Sequence, residues 1–105
     1  MTSRLDQIRS FLKDDPNDSF LIFALAKEYE KMNQIGEAYD TYLRLRTLDA
    51  RYVGLYYHLG KACELLDKTS EAVTVYKEGI EVAKSLKDFH AASELNQALM
   101  LLAGE

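Results

Sequence analysis

Cys63, His58 and His90 carry the most nucleophilic and metal-ligating chemistry in this sequence of 105 residues. A cysteine nucleophile needs a base beside it, and none neighbours Cys63, which shares an apolar stripe with Leu59 and Leu66. It reads as a buried structural thiol. His58 and Cys63 are five positions apart, about 140° around a helix, so they do not share a face. No HExxH, CxxC or calcium-loop spacing occurs, and a lone cysteine gives neither an internal disulfide nor a zinc cluster. The glycines form no phosphate loop: Gly36 reads as a turn, Gly54 as a helix start, Gly60 and Gly79 as packing positions. Glu71, Glu78 and Glu81 read as a solvated helix face and not as paired acid and base. No metal, no cofactor and no enzymatic activity is expected.

Composition sets the class. Apolar residues make 48% and charged residues 29% of the chain, the balance of a globular domain. The length allows one domain, 1–105. One proline and five glycines are too few turn formers for an all-β fold. The formal charge is −4, with −1 over residues 1–52 (8 basic, 9 acidic) and −3 over 53–105 (5 basic, 8 acidic). Nucleic-acid binding needs a concentrated positive face, so none is expected. No apolar run approaches the ~20 residues of a membrane span, and the charged N-terminal stretch is unlike a signal peptide. The expected compartment is the cytoplasm, without membrane contact.

Apolar spacing predicts six helices and no strand. They cover about 3–14, 19–32, 36–48, 52–66, 70–86 and 89–102, with Asp18 or Ser19 and then Ser70 as N-caps. Asp15-Pro16-Asn17-Asp18 stops the first helix, because a residue before proline leaves the helical region. The other breaks are short, so successive helices lie antiparallel.

An internal repeat organises these helices. Shifting 19–52 onto 53–86 pairs Leu21 with Leu55, Leu25 with Leu59 and Lys27 with Lys61. It also pairs Glu30 with Glu64, Glu37 with Glu71, Ala38 with Ala72 and Tyr42 with Tyr76. These are seven identities in 34 ungapped pairs, where average usage gives roughly two. Ala26, Gly60, Ala38 and Ala72 are small enough to let two helices of a hairpin approach closely, with Tyr42 and Tyr76 filling the space beyond.

This pattern resembles the tetratricopeptide repeat family. Ile22, Leu25, Ala26, Tyr29, Ala38, Tyr42 and Leu45 stand at its signature places in one copy. Tyr56, Leu59, Gly60, Cys63, Ala72, Tyr76 and Gly79 stand there in the next. The terminal proline is replaced by Ala50 and Lys84, and Cys63 stands where an aromatic is usual. The resemblance implies an all-α fold of antiparallel hairpins stacked as a short right-handed superhelix. Its parts are a packing helix at 3–14, repeats at 19–52 and 53–86, and a solvating cap over 87–105.

The resemblance also implies a protein-binding groove lined by the first helix of each repeat. Carried over by register, its residues are Phe20, Phe23, Lys27, Lys31, Tyr57, His58 and Lys61, with Glu30, Gly54, Glu64 and Leu65 beside them. Phe23 and Tyr57 with Lys27 and Lys61 make a repeated aromatic and cation ladder. It suits a peptide with apolar anchors and acidic groups. Equally, the lysine stems lie along an aromatic surface with no ligand. Phe23, Lys27 and His58 stand where some family members hold a chaperone tail through Lys and Asn, so that pattern is not met. The expected function is therefore a non-enzymatic module binding a protein or peptide. The alternative is a homodimer through the terminal helices, since Leu99-Met100-Leu101-Leu102 covers more than one helix face.

Overall fold

Six helices span the described residues, 3–104, of the computed structural model, so the two N-terminal positions and position 105 of the expected domain lie outside them. They are α1 (Arg4–Asp14), α2 (Ser19–Lys31), α3 (Ile35–Leu48), α4 (Gly54–Leu65), α5 (Thr69–Ser85) and α6 (Phe89–Ala103). No strand occurs among the described residues.

Local chemistry sets the helix ends. The side chains of Ser3, Asp18 and Asp88 accept the N–H of Asp6, Leu21 and Ala91, capping α1, α2 and α6. Ser70 is not the cap expected from its type: α5 starts one residue earlier behind Lys68, with no side-chain cap. Gly36 is likewise not a turn but part of the first turn of α3. The chain reverses instead at Asn33, Asp67 and Lys87, with φ near +60° at all three. After each, the next N–H closes on a carbonyl five residues back: Gln34 on Tyr29, Lys68 on Cys63, Asp88 on Ala83. This is the left-handed cap that satisfies orphan helix carbonyls; after glycine, Asn and Asp tolerate it best, so Lys87 is the least favoured of the three.

Each helix packs on its sequence neighbours, and α4 also meets α6. α2 and α4 touch through Phe23 and His58, with ring centroids 5.5 Å apart. α3 and α5 are joined side by side: Tyr39 Oη donates to Glu71 Oε2 at 2.6 Å, and Arg46 Nη1 lies 3.5 Å from Glu78 Oε1. So α2, α4 and α6 form one layer, α3 and α5 the other, and α1 packs against α2.

The core runs between the layers and contains Ile22, Leu25, Tyr42, Leu45, Leu59, Val75 and Leu95. Gly60 is a socket for the Tyr76 ring: a Cβ there would lie 2.5 Å from the ring's Cζ. The ring therefore sits on the small residue itself, not beyond it. Gly79 receives α4 in return, since a Cβ there would lie 2.5 Å from the Cβ of Tyr56. The first copy fills the same two register places with Ile22 and Leu45, both fully buried. Two medium side chains there replace one large and one absent.

Ala38 and Ala72 are also fully buried, as the repeat register requires. Enlarging either to leucine overpacks the layer contact. Ala38→Leu and Ala72→Leu are each expected to lose about 1–3 kcal/mol. Thermal melts followed by circular dichroism check this, and unchanged midpoints for both variants refute the assignment.

Candidate functional site

α2 and α4 carry the expected groove residues because their outward positions recur at 34, and the two helices touch through Phe23 and His58. Phe23 is half-buried at their junction. Its ring centroid is 5.1 Å from Tyr52 and 6.0 Å from Tyr42. His58 stacks on Tyr42 at 5.9 Å and meets the edge of Tyr57 at 5.7 Å. The junction is thus an aromatic floor, with Phe20 exposed beyond it on α2 and Tyr57 partly exposed on α4.

The cations take matching places. Lys27 Nζ is 5.6 Å from the centre of the Phe23 ring, and Lys61 Nζ is 5.5 Å from that of Tyr57. The repeated ladder is therefore physically present, each ammonium over its own ring. Lys31 is exposed, 3.8 Å from Glu28, and Lys61 lies 3.7 Å from Glu64.

Beneath the ladder is a polar device that the sequence reading missed. The Tyr42 hydroxyl donates to Glu30, and the Tyr76 hydroxyl donates to Glu64 at 2.5 Å. Each joins the outward helix of a hairpin to its partner helix. His58 Nδ1 lies 3.3 Å from the same Glu30 oxygen. Burial pushes the Glu30 carboxyl up, but hydrogen bonds from His58 and Tyr42, with the charges of His58 and Lys27, outweigh it and hold the group below its ordinary value. The signal for these pairs was in the repeat: Glu30/Glu64 and Tyr42/Tyr76 are identities whose members stand 12 apart in both copies.

The expected groove residues line clefts along this face. Arg4, Phe20, Phe23, Lys27, Glu28 and Lys31 border one of about 250 Å³ between α1 and α2. Glu30, His58, Lys61 and Leu65 border one of about 230 Å³ between α2 and α4. Gly54, Tyr57, His58 and Glu94 border one of about 300 Å³ between α4 and α6. The seven expected groove residues thus fall on one face but divide among clefts, and Arg4 and Glu94 join them from helices outside the two copies.

Cys63 lies away from this face. It is fully buried, and burial, then the charge of Glu71, pushes its thiol up to about 11. A thiol so raised stays protonated near neutral pH and is a poor nucleophile. His90 lies 3.5 Å from Glu94 on the exposed face of α6. Among the described residues, no three His, Cys, Asp or Glu side chains gather as a metal would need. No helix of the described chain is long and apolar enough to cross a membrane.

No family model and no curated protein matches the sequence. Solved structures do match. The solution structure of a tetratricopeptide repeat domain protein from Salinibacter ruber has a TM-score of 0.81 and 41% identity, covering 86% of this chain and 91% of that one. The chain belongs to the tetratricopeptide repeat family. A crystal structure of such a domain from the same organism gives 40% identity and a TM-score of 0.80, over 83% of this chain and 98% of the other. The type III secretion translocator chaperone SycD of Yersinia enterocolitica shares the fold, with a TM-score of 0.85 at 15% identity over 93% of this chain and 68% of that one.

Membership explains the packing. The tetratricopeptide signature places a small residue where a bulky side chain of the paired helix lands, and Gly60 under Tyr76 is that contact. The recurrent Tyr–Glu bonds add a polar tie to that apolar frame in both copies.

Proposed function

We propose that this tetratricopeptide repeat chain is a non-enzymatic interaction module that takes a peptide or partner segment along the α2, α4 and α6 face. One observation supports this most: ring-and-ammonium pairs recur at Phe23/Lys27 and Tyr57/Lys61 beside open clefts. A recognition groove needs aromatic anchors with polar groups at their rim, and this face supplies both. The burial of Cys63 and its raised thiol argue against a cysteine nucleophile. The proposed layout keeps α1 as a packing helix, repeats at 19–52 and 53–86, and α6 over the end.

Phe20→Ala combined with Tyr57→Ala removes the two most exposed groove rings while sparing the buried floor. The double variant is expected to keep its thermal midpoint within a few degrees and to lose most of its partners in affinity capture from the native source. An unchanged set of captured proteins sinks the groove reading.

A homodimer through the terminal helices is the second reading. Phe89, Met100 and Leu101 are exposed on α6, where a solvating cap is polar. Leu99 and Leu102 turn inward against the core, so the outer seam is narrower than four consecutive apolar residues suggest. Sedimentation of a monomer at high concentration removes this reading.

A further inference from the structure

We infer that the groove is graded in charge, and that its partner is an acidic segment whose carboxylates enter the cleft between α1 and α2 while its apolar side chains rest on Phe20 and Phe23. This rests on the groove reading above and adds the partner's chemistry and the end of the groove that it occupies.

The cleft between α1 and α2 is lined by three cations, Arg4, Lys27 and Lys31, and by one carboxylate, Glu28. Its lining therefore carries an excess of two positive charges (3 − 1) in a chain whose formal charge is −4. A single oxygen of Glu28 serves two of the cations, at 3.6 Å from Arg4 Nε and 3.8 Å from Lys31 Nζ. The carboxylate side chain is only 15% exposed, while those of Arg4 and Lys31 are 60% and 68% exposed. The anion lies low and the cations stand in solvent above it, with capacity for a second carboxylate. Phe20, itself 65% exposed, borders the same cleft and offers an apolar anchor beside the charge.

The rest of the face is different. Between α2 and α4 the lining holds Lys61 against Glu30, which cancel. Between α4 and α6 the larger cleft holds Glu94 and no lysine or arginine. The smaller one there sets Lys61 against Glu94. Charge thus falls from α1 toward α6, and a segment with acidic and basic ends has one favoured direction. A nucleic-acid backbone fits poorly, since the cations are few, phenyl rings flank them and the net charge repels a polyanion.

Fluorescence anisotropy with three labelled peptides tests this: one with Glu and Asp around a Leu-Phe pair, one with Gln and Asn in their place, and one with Lys. The acidic peptide is expected to bind about tenfold more tightly than the neutral one, more tightly still than the basic one, and to weaken with added salt. Lys27→Glu with Lys31→Glu is expected to cost the acidic peptide about tenfold, and Glu81→Gln, exposed on α5 in the other layer, to leave it unchanged. Amide shifts in NMR are expected at Ala24, not at Gln97. Equal binding of all three peptides, an inert charge reversal, or shifts centred on Gln97 overturns the inference and leaves the groove reading standing. No binding of any peptide removes both. Circular dichroism confirms that the reversal variant folds, since both lysines reach solvent.

Discussion

Gly60→Ala is expected to destabilise the protein by about 2 kcal/mol, whereas Gly36→Ala is expected to stabilise it by about 0.5 kcal/mol. Both glycines are helical, so alanine gains propensity at each. Space decides the sign. Nothing lies within 4 Å of a Cβ at Gly36. At Gly60 the new atom meets the Tyr76 ring from Cδ1 to Cζ. The ring cannot swing aside cheaply, because its hydroxyl is bonded to Glu64 and its side chain is fully buried. Overpacking at the upper end of the usual range, about 3 kcal/mol, then outweighs a propensity gain of about 1 kcal/mol. Urea denaturation midpoints at constant slope measure both changes. A Gly60→Ala variant as stable as its parent shows that Tyr76 is not seated on α4.

The second large effect is at high pH. Burial pushes the Tyr56 hydroxyl up to about 12, with the charge of Glu78 adding to it. Burial, then the bond to Glu30, raises Tyr42 well above its ordinary range, and burial with the bond to Glu64 does the same at Tyr76. At Tyr39 the bond to Glu71 leads, to about 12. An unfolded chain releases these protons near pH 10, while the folded chain holds them. The unfolded state then binds fewer protons, so stability falls as pH rises. The protein is expected to hold a plateau to about pH 9, where the thiol of Cys63 would begin to ionise if exposed, and then to lose stability on the order of several kcal/mol by about pH 12.

Melting temperature across that range is the measurement. Tyr76→Phe is expected to be less stable at neutral pH but to show a shallower alkaline decline. A parent protein with an unchanged midpoint at pH 11 refutes the buried hydroxyl assignments. The acid limb has the opposite sign. Glu30 is held below 4.5, so its contribution is present above that pH and is lost as pH falls through the lowered value.

Both effects trace to residues whose partners are on another helix, and that divides what could be read early from what could not. The helices were legible because apolar spacing and caps such as Asp18 are local. The cap at Ser70 and the turn at Gly36 were misplaced because residue type alone does not reveal which residue takes positive φ. Asn33 and Asp67 do so, at 34-residue spacing, and close the helices ahead of those positions.

The candidate site was legible only as a set of outward positions. Phe23, Lys27, Tyr57 and Lys61 could be placed by register because a repeat copies the local frame. That Lys27 covers Phe23 and Lys61 covers Tyr57 follows from their spacing of four on one helix, where such side chains are neighbours. Arg4 and Glu94 could not be placed, since they reach the face from α1 and α6, outside the matched copies.

The sequence by itself determined six helices, a 34-residue rhythm, the small positions between layers and a family resemblance, because each depends on residues near in the chain or repeated along it. Tertiary structure alone decided that Tyr42 and Tyr76 reach Glu30 and Glu64, that Gly60 holds an aromatic ring, and that cations from two helices meet in one cleft. Those contacts depend on the rotation and crossing of packed helices, which many side chains set together and no single stretch of chain encodes.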